Sequence, residues 1–452
     1  MFSELIKRHK LSIAFLGDIA VFFLAMTLIL YVRYGLYNEP AIGEFSTQFA
    51  VHLYPFCVVL ILWLIVFHIS NLYTYRSFSN TLEIAKRVTT SLVISFCVTI
   101  TIFYIFSRFF ELTPKANLVL LTIAFGVLDI LWRYGLRKIF IQKKFSSNIL
   151  ILASSPLVDD IARYIDINPQ LGYKLYYFKT DISKLAENIK RDSINQVVID
   201  SKFLRNNAVT KTLYGILSKQ IEMTILTDFY ETLFRCIPLS DIEEEWFIRE
   251  ITRNRKIYES IKYIAELALI LFCLPITVPL MIIIGILVAS SPQGPIIYKQ
   301  ERIGKNNKPF ILYKFRTMKT GSSGPLWTDE NDERLTPVGR FLRHTHLDEI
   351  PQLLNVLKGD ISFIGPRPER TELAKSYEAI PYYDIRHMIK PGIIGWAQLN
   401  FKPSTSLEEA RKKFQFDLYY IKNRSFILDL FILFKTARTL FVGNGQDMSE
   451  HL

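Results

Sequence analysis

The sequence predicts a membrane protein in three parts: a four-helix transmembrane bundle, a Rossmann-like α/β middle domain, and a re-entrant helical hairpin leading into a mixed α/β C-terminal domain. Three observations predict it. Half of the 452 residues are hydrophobic and the mean hydropathy is positive, more apolar surface than a soluble chain needs. Four runs of about 20 apolar residues open the chain, each long enough to cross a hydrocarbon core as helix. Beyond them the pattern changes to short buried-strand runs alternating with helical stretches, and a fifth apolar run carries two prolines.

The four opening runs fall at roughly 11–32, 51–70, 88–107 and 117–136. Lys7, Arg8 and Lys10 precede the first, Arg76, Lys86 and Arg87 separate the second from the third, and Arg133, Arg137, Lys138, Lys143 and Lys144 follow the fourth. The alternate loops pair Arg33 with Glu39 and Glu44, and Arg108 and Lys115 with Glu111, a weaker basic content. Positive residues stay inside, so the even number of crossings keeps the rest of the chain in the cytoplasm. No small-residue cleavage site follows the first run, so residues 1–145 are expected to keep it as a membrane helix.

Residues 146–245 read as the middle domain. Ile149 to Leu152, Val197 to Asp200 and Met223 to Leu226 are strand-like, but Ala153, Ser154, Ser155 and Pro156 stand where a dinucleotide loop needs glycines. Asp159 and Asp160 would repel a phosphate there, so no dinucleotide binding is expected and a structural or assembly role is favoured.

The third part spans residues 255–452. Its apolar run, Tyr263 to Ala289, holds Glu266, Pro275 and Pro279 and is basic on both flanks, with Arg253, Arg255, Lys256 and Lys262 before it and Lys299, Arg302 and Lys305 after it. A crossing would violate the positive-inside tendency on one side; a re-entrant hairpin bent at Pro275 satisfies both flanks, and a kinked fifth span is the alternative. Near the C-terminus, Phe426 to Phe434 with Lys435 and Arg438 suits an interfacial segment or a core helix.

Between these lies a dense series of polar motifs. Gly294-Pro295-Ile296-Ile297-Tyr298-Lys299-Gln300-Glu301-Arg302-Ile303-Gly304 and Tyr313-Lys314-Phe315-Arg316-Thr317-Met318 alternate apolar and basic residues, as short strands lining a basic site would. Asn331-Asp332-Glu333-Arg334-Leu335-Thr336-Pro337, Leu347-Asp348-Glu349-Ile350-Pro351-Gln352, Gly365-Pro366-Arg367-Pro368 and Lys390-Pro391-Gly392-Ile393-Ile394-Gly395-Trp396-Ala397-Gln398 follow. In order and spacing, residues 255–442 resemble the bacterial sugar transferases, the polyprenyl-phosphate hexose-1-phosphate or monotopic phosphoglycosyl transferases. The N-terminal helices and middle domain resemble, by layout, the larger members that initiate exopolysaccharide, capsule or O-antigen synthesis.

The resemblance implies that the C-terminal domain is catalytic and moves a sugar 1-phosphate from a UDP-sugar to a polyprenyl phosphate at the bacterial inner membrane. It implies Asp348 as nucleophile on the β-phosphate, releasing UMP, with Glu349 assisting the incoming polyprenyl phosphate. It also implies Mg2+, with Asp348 as the protein contact. The residues themselves suggest how. Thr345 stands where it could cap a helix ending at Gly359, which puts Asp348 and Glu349 in the first turn, where the dipole holds a carboxylate ionised; the bare reading is a capping box. Arg367, fixed between two prolines, is the first choice for a phosphate clamp, followed by Lys314, Arg316 and Arg343, each otherwise a solvated or lipid-facing charge. Glu301 matches a family acid near the site. His344 and His346 lack further ligands at metal spacing, His346 replaces a serine of many relatives, and Leu274 replaces a serine before the hairpin proline.

Competing classes are a catalytically idle membrane scaffold of polysaccharide machinery and an NAD-dependent epimerase or dehydratase, the latter opposed by the missing glycines. Cysteine chemistry is excluded by spacing: Cys57, Cys97 and Cys273 lie in apolar runs and Cys236 stands alone. The net charge of +12 follows membrane flanks and motif strands, not one face, so nucleic acid is not an expected partner. The bilayer and a homo-oligomer are the remaining candidate partners.

Overall fold

The computed structural model describes residues 2–36, 45–70, 72–73, 78, 81–105, 115–141, 146–177, 185–205, 207–216, 221–242, 244–251, 255–290, 294–319, 334–401 and 406–442. They form two compact units, Met1–Phe229 and Tyr230–Leu452. Asn331, Asp332 and Glu333 of the polar motifs, and the loop charges Glu39, Glu44, Arg76, Arg108, Glu111, Lys143, Lys144 and Arg253, lie outside the described residues.

The first unit opens with four long helices: α1 (Phe2–Leu30, continued by a π turn Tyr31–Leu36), α2 (Phe45–Ile69), α3 (Thr81–Ile105) and α4 (Lys115–Ile141). With the helix Lys256–Ala289 of the second unit, they make five helices among the described residues that are long and apolar enough to cross a membrane, which marks a membrane protein. Their shared core is aromatic. Phe22 meets the rings of Trp63 and Phe125 edge-on at 5.7 and 5.8 Å, while Leu16, Leu24, Ile61 and Ile123 face outward. Arg133, which sequence places in a basic flank, is instead 1% exposed inside this core. It pairs with Asp18 and Asp129, donates to Leu72 O, and Tyr73 Oη donates to the same Asp18 oxygen at 2.7 Å. A guanidinium has enough donors to hold all three acceptors, which is how a charge survives there.

The same unit continues with β1 (Ser147–Leu152), α5 (Leu157–Ile167), β2 (Tyr173–Tyr177), α6 (Leu185–Arg191), β3 (Gln196–Ile199), α7 (Ser201–Leu204), α8 (Asn207–Ile216) and β4 (Glu222–Ile225). The strands form one parallel sheet in the order β2-β1-β3-β4, with Leu150 opposite both Tyr176 and Val197. Val197 and Ile199 pack against Leu185, Val209 and Leu213. The β2 strand escaped the sequence reading because Tyr173 to Tyr177 lacks a branched apolar run.

In the second unit, α9 (Leu226–Phe234, which crosses the division) and α10 (Glu244–Ile251) precede α11 (Lys256–Ala289). Residues 230–242, grouped by sequence with the middle domain, pack with this unit: Ile237 N donates to Gln415 O, Trp396 Nε1 donates to Arg235 O, and Lys422 pairs with Glu231 at 2.7 Å. Helix α11 runs unbroken through Pro275 and Pro279, a single helix where the sequence suggested two separate arms. It buries only Glu266, Ile270, Ile284 and Val288, all packed on this one unit. Most of its other apolar side chains face outward, with Ile257 79%, Phe272 81% and Ile276 72% exposed.

An antiparallel ribbon follows, β5 (Ile297–Ile303) and β6 (Pro309–Phe315), then α12 (Pro337–His344), α13 (Leu353–Lys358), β7 (Ser362–Ile364), α14 (Thr371–Tyr377), β8 (Gly392–Ile394), α15 (Leu407–Asn423) and α16 (Phe426–Val442). Strands β7 and β8 pair in parallel. Helix α16 buries Asp429 and Ile432, as a core helix would, and leaves Ile427 exposed.

Candidate active site

The site is assembled from β6, the turn after α12, and the segment after β7. Period-two alternation sorts the ribbon's side chains: Lys314 lies opposite Tyr298 on one face, whereas Glu301 lies opposite Ile311 on the other. Lys314 reaches Glu349, its Nζ 2.6 Å from Oε1. Glu301 is exposed and turned away, so the sequence grouping of Glu301 with the phosphate-binding residues is not met by this ribbon.

The local fold around Asp348 differs from expectation. Thr345 closes α12 instead of opening the next helix, its hydroxyl donating back to Phe341 O at 2.8 Å. His346 then takes a left-handed conformation (φ 56°), and Leu347–Gln352 form a 3-10 turn. Pro351 is the reason: an α-helix begun at Leu347 would need the N–H that Pro351 lacks, and its ring would clash with the Leu347 carbonyl, so the turn tightens until α13 begins. Asp348 and Glu349 still share a first turn, as the sequence suggested, but without a side-chain cap.

The two carboxylates have opposite environments. One oxygen of Glu349 accepts from both Lys314 and Arg367, the latter at 3.0 Å. Burial pushes the Glu349 carboxyl up, but Arg367 and Lys314 outweigh it and hold it well below the usual range. Asp348 is only 6% exposed and makes no hydrogen bond or ion pair among the described residues. Burial raises its pKa, offset in part by Lys314. Lys314 is itself lowered, by burial and then by Arg367. A buried carboxylate with no partner beside two cations on its neighbour is an arrangement suited to nucleophilic attack on a phosphorus atom.

The other basic residues separate. Arg343, in the last turn of α12, donates to Thr317 Oγ1 at 3.1 Å and its charge lowers Asp348, so it belongs to the site's field. Arg316 does not join it: β6 ends at Phe315, and the Arg316 side chain is buried against α11, Nη2 donating to Val288 O at 3.0 Å. That bond satisfies a carbonyl at the helix C-terminal end. Pro275 lies within α11.

Several site-building residues escaped the sequence reading. Asn355, fully buried, ties α13 to β6 by accepting from Tyr313 N and donating to Ile311 O. Its signal was a lone amide within the apolar Leu353 to Leu357 run. Glycine spacing carries another: a Cβ on Gly392 would sit 2.1 Å from Gly365 N, so the backbone leading to Arg367 can lie directly on the start of β8. Among the described residues no group of three or more His, Cys, Asp and Glu side chains could hold a metal ion, His344 and His346 included.

Comparison with known proteins finds relatives of the C-terminal part of the chain. Residues 257–443 match the family model described as bacterial sugar transferase. The chain is 41% identical over 192 residues to the UDP-N-acetylgalactosamine-undecaprenyl-phosphate N-acetylgalactosaminephosphotransferase of Aeromonas hydrophila, which covers 42% of this chain and 45% of that protein. It is 47% identical to an uncharacterized sugar transferase of Bacillus subtilis strain 168, over 35% of this chain and 76% of the relative. Against the UDP-glucose:undecaprenyl-phosphate glucose-1-phosphate transferase of Escherichia coli K12 the identity is 33%, over 59% of this chain and 58% of the relative. The match thus spans about half the length of the Aeromonas and Escherichia proteins.

Proposed function

Because this chain belongs to the bacterial sugar transferase family, we propose that it transfers a sugar 1-phosphate from a UDP-sugar to a polyprenyl phosphate such as undecaprenyl phosphate. The activities for which the Aeromonas and Escherichia relatives are named support this reading. The observation that carries it is the Asp348 carboxylate, without a hydrogen bond or ion pair among the described residues, beside Glu349, Lys314 and Arg367.

In the first half-reaction an Asp348 oxygen bonds to the β-phosphorus of the donor, the bond from that phosphorus to the bridging oxygen breaks, and UMP departs with the electron pair. The aspartyl phospho-sugar remains. In the second, a polyprenyl phosphate oxygen attacks the same phosphorus and Asp348 leaves as carboxylate. Arg367 and Lys314 offset the charge that keeps two anions apart. Glu349, held ionised by those cations, is a weak base at rest, so its assistance to the acceptor is to aim Arg367 and Lys314. Mg2+ suits this donor set, since it binds through one or two carboxylates plus substrate phosphates, and among the described residues Asp348 forms no ion pair while Glu349 is taken. When bound it would neutralise pyrophosphate charge.

The remaining parts fit a multi-pass enzyme of the bacterial inner membrane with this site on the cytoplasmic face, beginning exopolysaccharide, capsule or O-antigen synthesis. Helices α1–α4 would form the spanning bundle, the parallel sheet a Rossmann-like structural or assembly domain, and α11 a re-entrant element. The basic flanks of α11, and the packing of Ile270 and of Ile284 and Val288 against this same unit on either side of the exposed Phe272 and Ile276, support that last assignment.

The test is UMP release by nanodisc-held protein with Mg2+, polyprenyl phosphate and a panel of UDP-sugars. Wild type should release UMP with one donor, and Asp348→Asn should lower the rate by about a thousandfold or more. Silence of folded wild type across the panel, or full activity in the variant, refutes the proposal.

A further inference from the structure

The segment from Ile364 to Glu369 carries Arg367 into the site, yet two of its six residues are prolines and contribute no N–H. Its anchorage must come largely through its carbonyls. Those carbonyls are taken by cations and neighbouring strands. Lys262 Nζ donates to Ile364 O at 2.8 Å, Gly392 N to Pro366 O at 2.9 Å, Arg302 Nη1 to Pro368 O at 3.0 Å, and Ile303 N to Glu369 O at 3.0 Å. The carbonyl of Arg367 itself accepts from Arg386 Nη2 at 3.0 Å.

Arg386, on a 3-10 turn at Tyr383–Met388, is 3% exposed and does not touch Glu349. Its fork is held on two sides: Glu369 Oε1 and Asp417 Oδ2 each accept at 2.9 Å, and it also donates to Tyr383 Oη. Lys413 pairs with Glu369 at 3.2 Å. The carboxylate of α15 thus orients a guanidinium, which orients the peptide whose own guanidinium grips Glu349. A buried guanidinium held by two separate carboxylates is stiff, so rotation of the Arg367 peptide would break a charge-assisted bond in a place shut off from solvent.

We infer that Arg386 is a positioning residue for transfer: it fixes the Arg367 peptide and so aims the phosphate clamp, at one remove from the reacting atoms. The inference rests on the proposed function for its kinetic consequence, and on the fold alone for its structural one.

Because Arg386→Gln would strand two buried carboxylates, the paired change Arg386→Met with Asp417→Leu is used, which leaves Glu369 with Lys413. The full chain in nanodiscs is compared in four forms: wild type, the pair, Arg367→Lys, and the pair with Arg367→Lys. The pair should lower kcat/KM by about 10- to 100-fold with wild-type thermal stability, and cost less than about twofold once Arg367 is replaced. Amide exchange within residues 364–370 should quicken at least tenfold in the pair, whether or not any donor is turned over. Equal losses in both backgrounds, no loss at all, or unchanged exchange overturns the inference. Inactive wild type with quickened exchange would count against the proposed function and leave the clamp standing.

Discussion

Two clusters of buried charge invite comparison, one in each unit. In the first, Arg133 binds Asp18 and Asp129 among four apolar helices, and all three side chains are essentially inaccessible. In the second, Lys314 and Arg367 bind Glu349, but Arg367 keeps 33% of its side chain exposed and Asp348 alongside has no hydrogen bond or ion pair among the described residues. The first cluster is closed: nothing can reach it, and its charges serve to hold helices. The second is open and one partner short, which is what a site awaiting an anionic substrate and a covalent bond to phosphorus requires. A buried ion pair alone therefore does not mark a site; an opening and an unpaired nucleophile do.

The difference can be broken at either end. The largest effect is expected for Arg133→Met, which strands two carboxylates in an apolar core and should cost about 3–5 kcal/mol, read as loss of folded protein in denaturant titration. Wild-type stability would mean that this cluster is not closed. Lys314→Met should do the converse, leaving stability nearly unchanged because Glu349 keeps Arg367, while lowering transfer by about 100-fold.

The same variant has a pH signature. Asp348 must be ionised to attack, and its raised pKa puts the acid limb of the rate profile above that of an ordinary aspartate, about 3.9. Lys314 lowers that pKa, so Lys314→Met should shift the limb to higher pH; a shift downward would contradict the assignment. For stability the pair oppose each other. Glu349, depressed, contributes above its unfolded pKa and the contribution is lost as pH falls through its folded value. Asp348, raised, contributes below its unfolded pKa and the contribution is lost as pH rises through its folded value. The smallest effect sharpens the boundary of the open cluster: Glu301→Gln, on the far face of the ribbon, should change UMP release less than about twofold.

Much of the site was legible. Asp348, Glu349, Lys314 and Arg367 stand in compact motifs, and strand alternation in β5–β6 is visible as alternating residue types. What failed was local geometry that depends on one residue. Thr345 resembles an N-cap, but Pro351 forbids the helix it would cap, and the hydroxyl turns back to Phe341. Arg316 shares a motif with Lys314, yet the strand ends between them and its side chain turns toward α11.

By itself the sequence determined the apolar spans, the parallel strands seen in β1, β3 and β4, and the motif residues, because hydrophobic period and residue chemistry are local properties. Only the tertiary structure decided that Arg133 is internal, that Glu301 lies on the far face of the ribbon from Lys314, that Glu349 is held while Asp348 makes no ion pair among the described residues, and that Arg386 holds the Arg367 peptide. Each of those depends on which distant groups meet in a low-dielectric interior, where a single missing or added partner reverses what a charge can do.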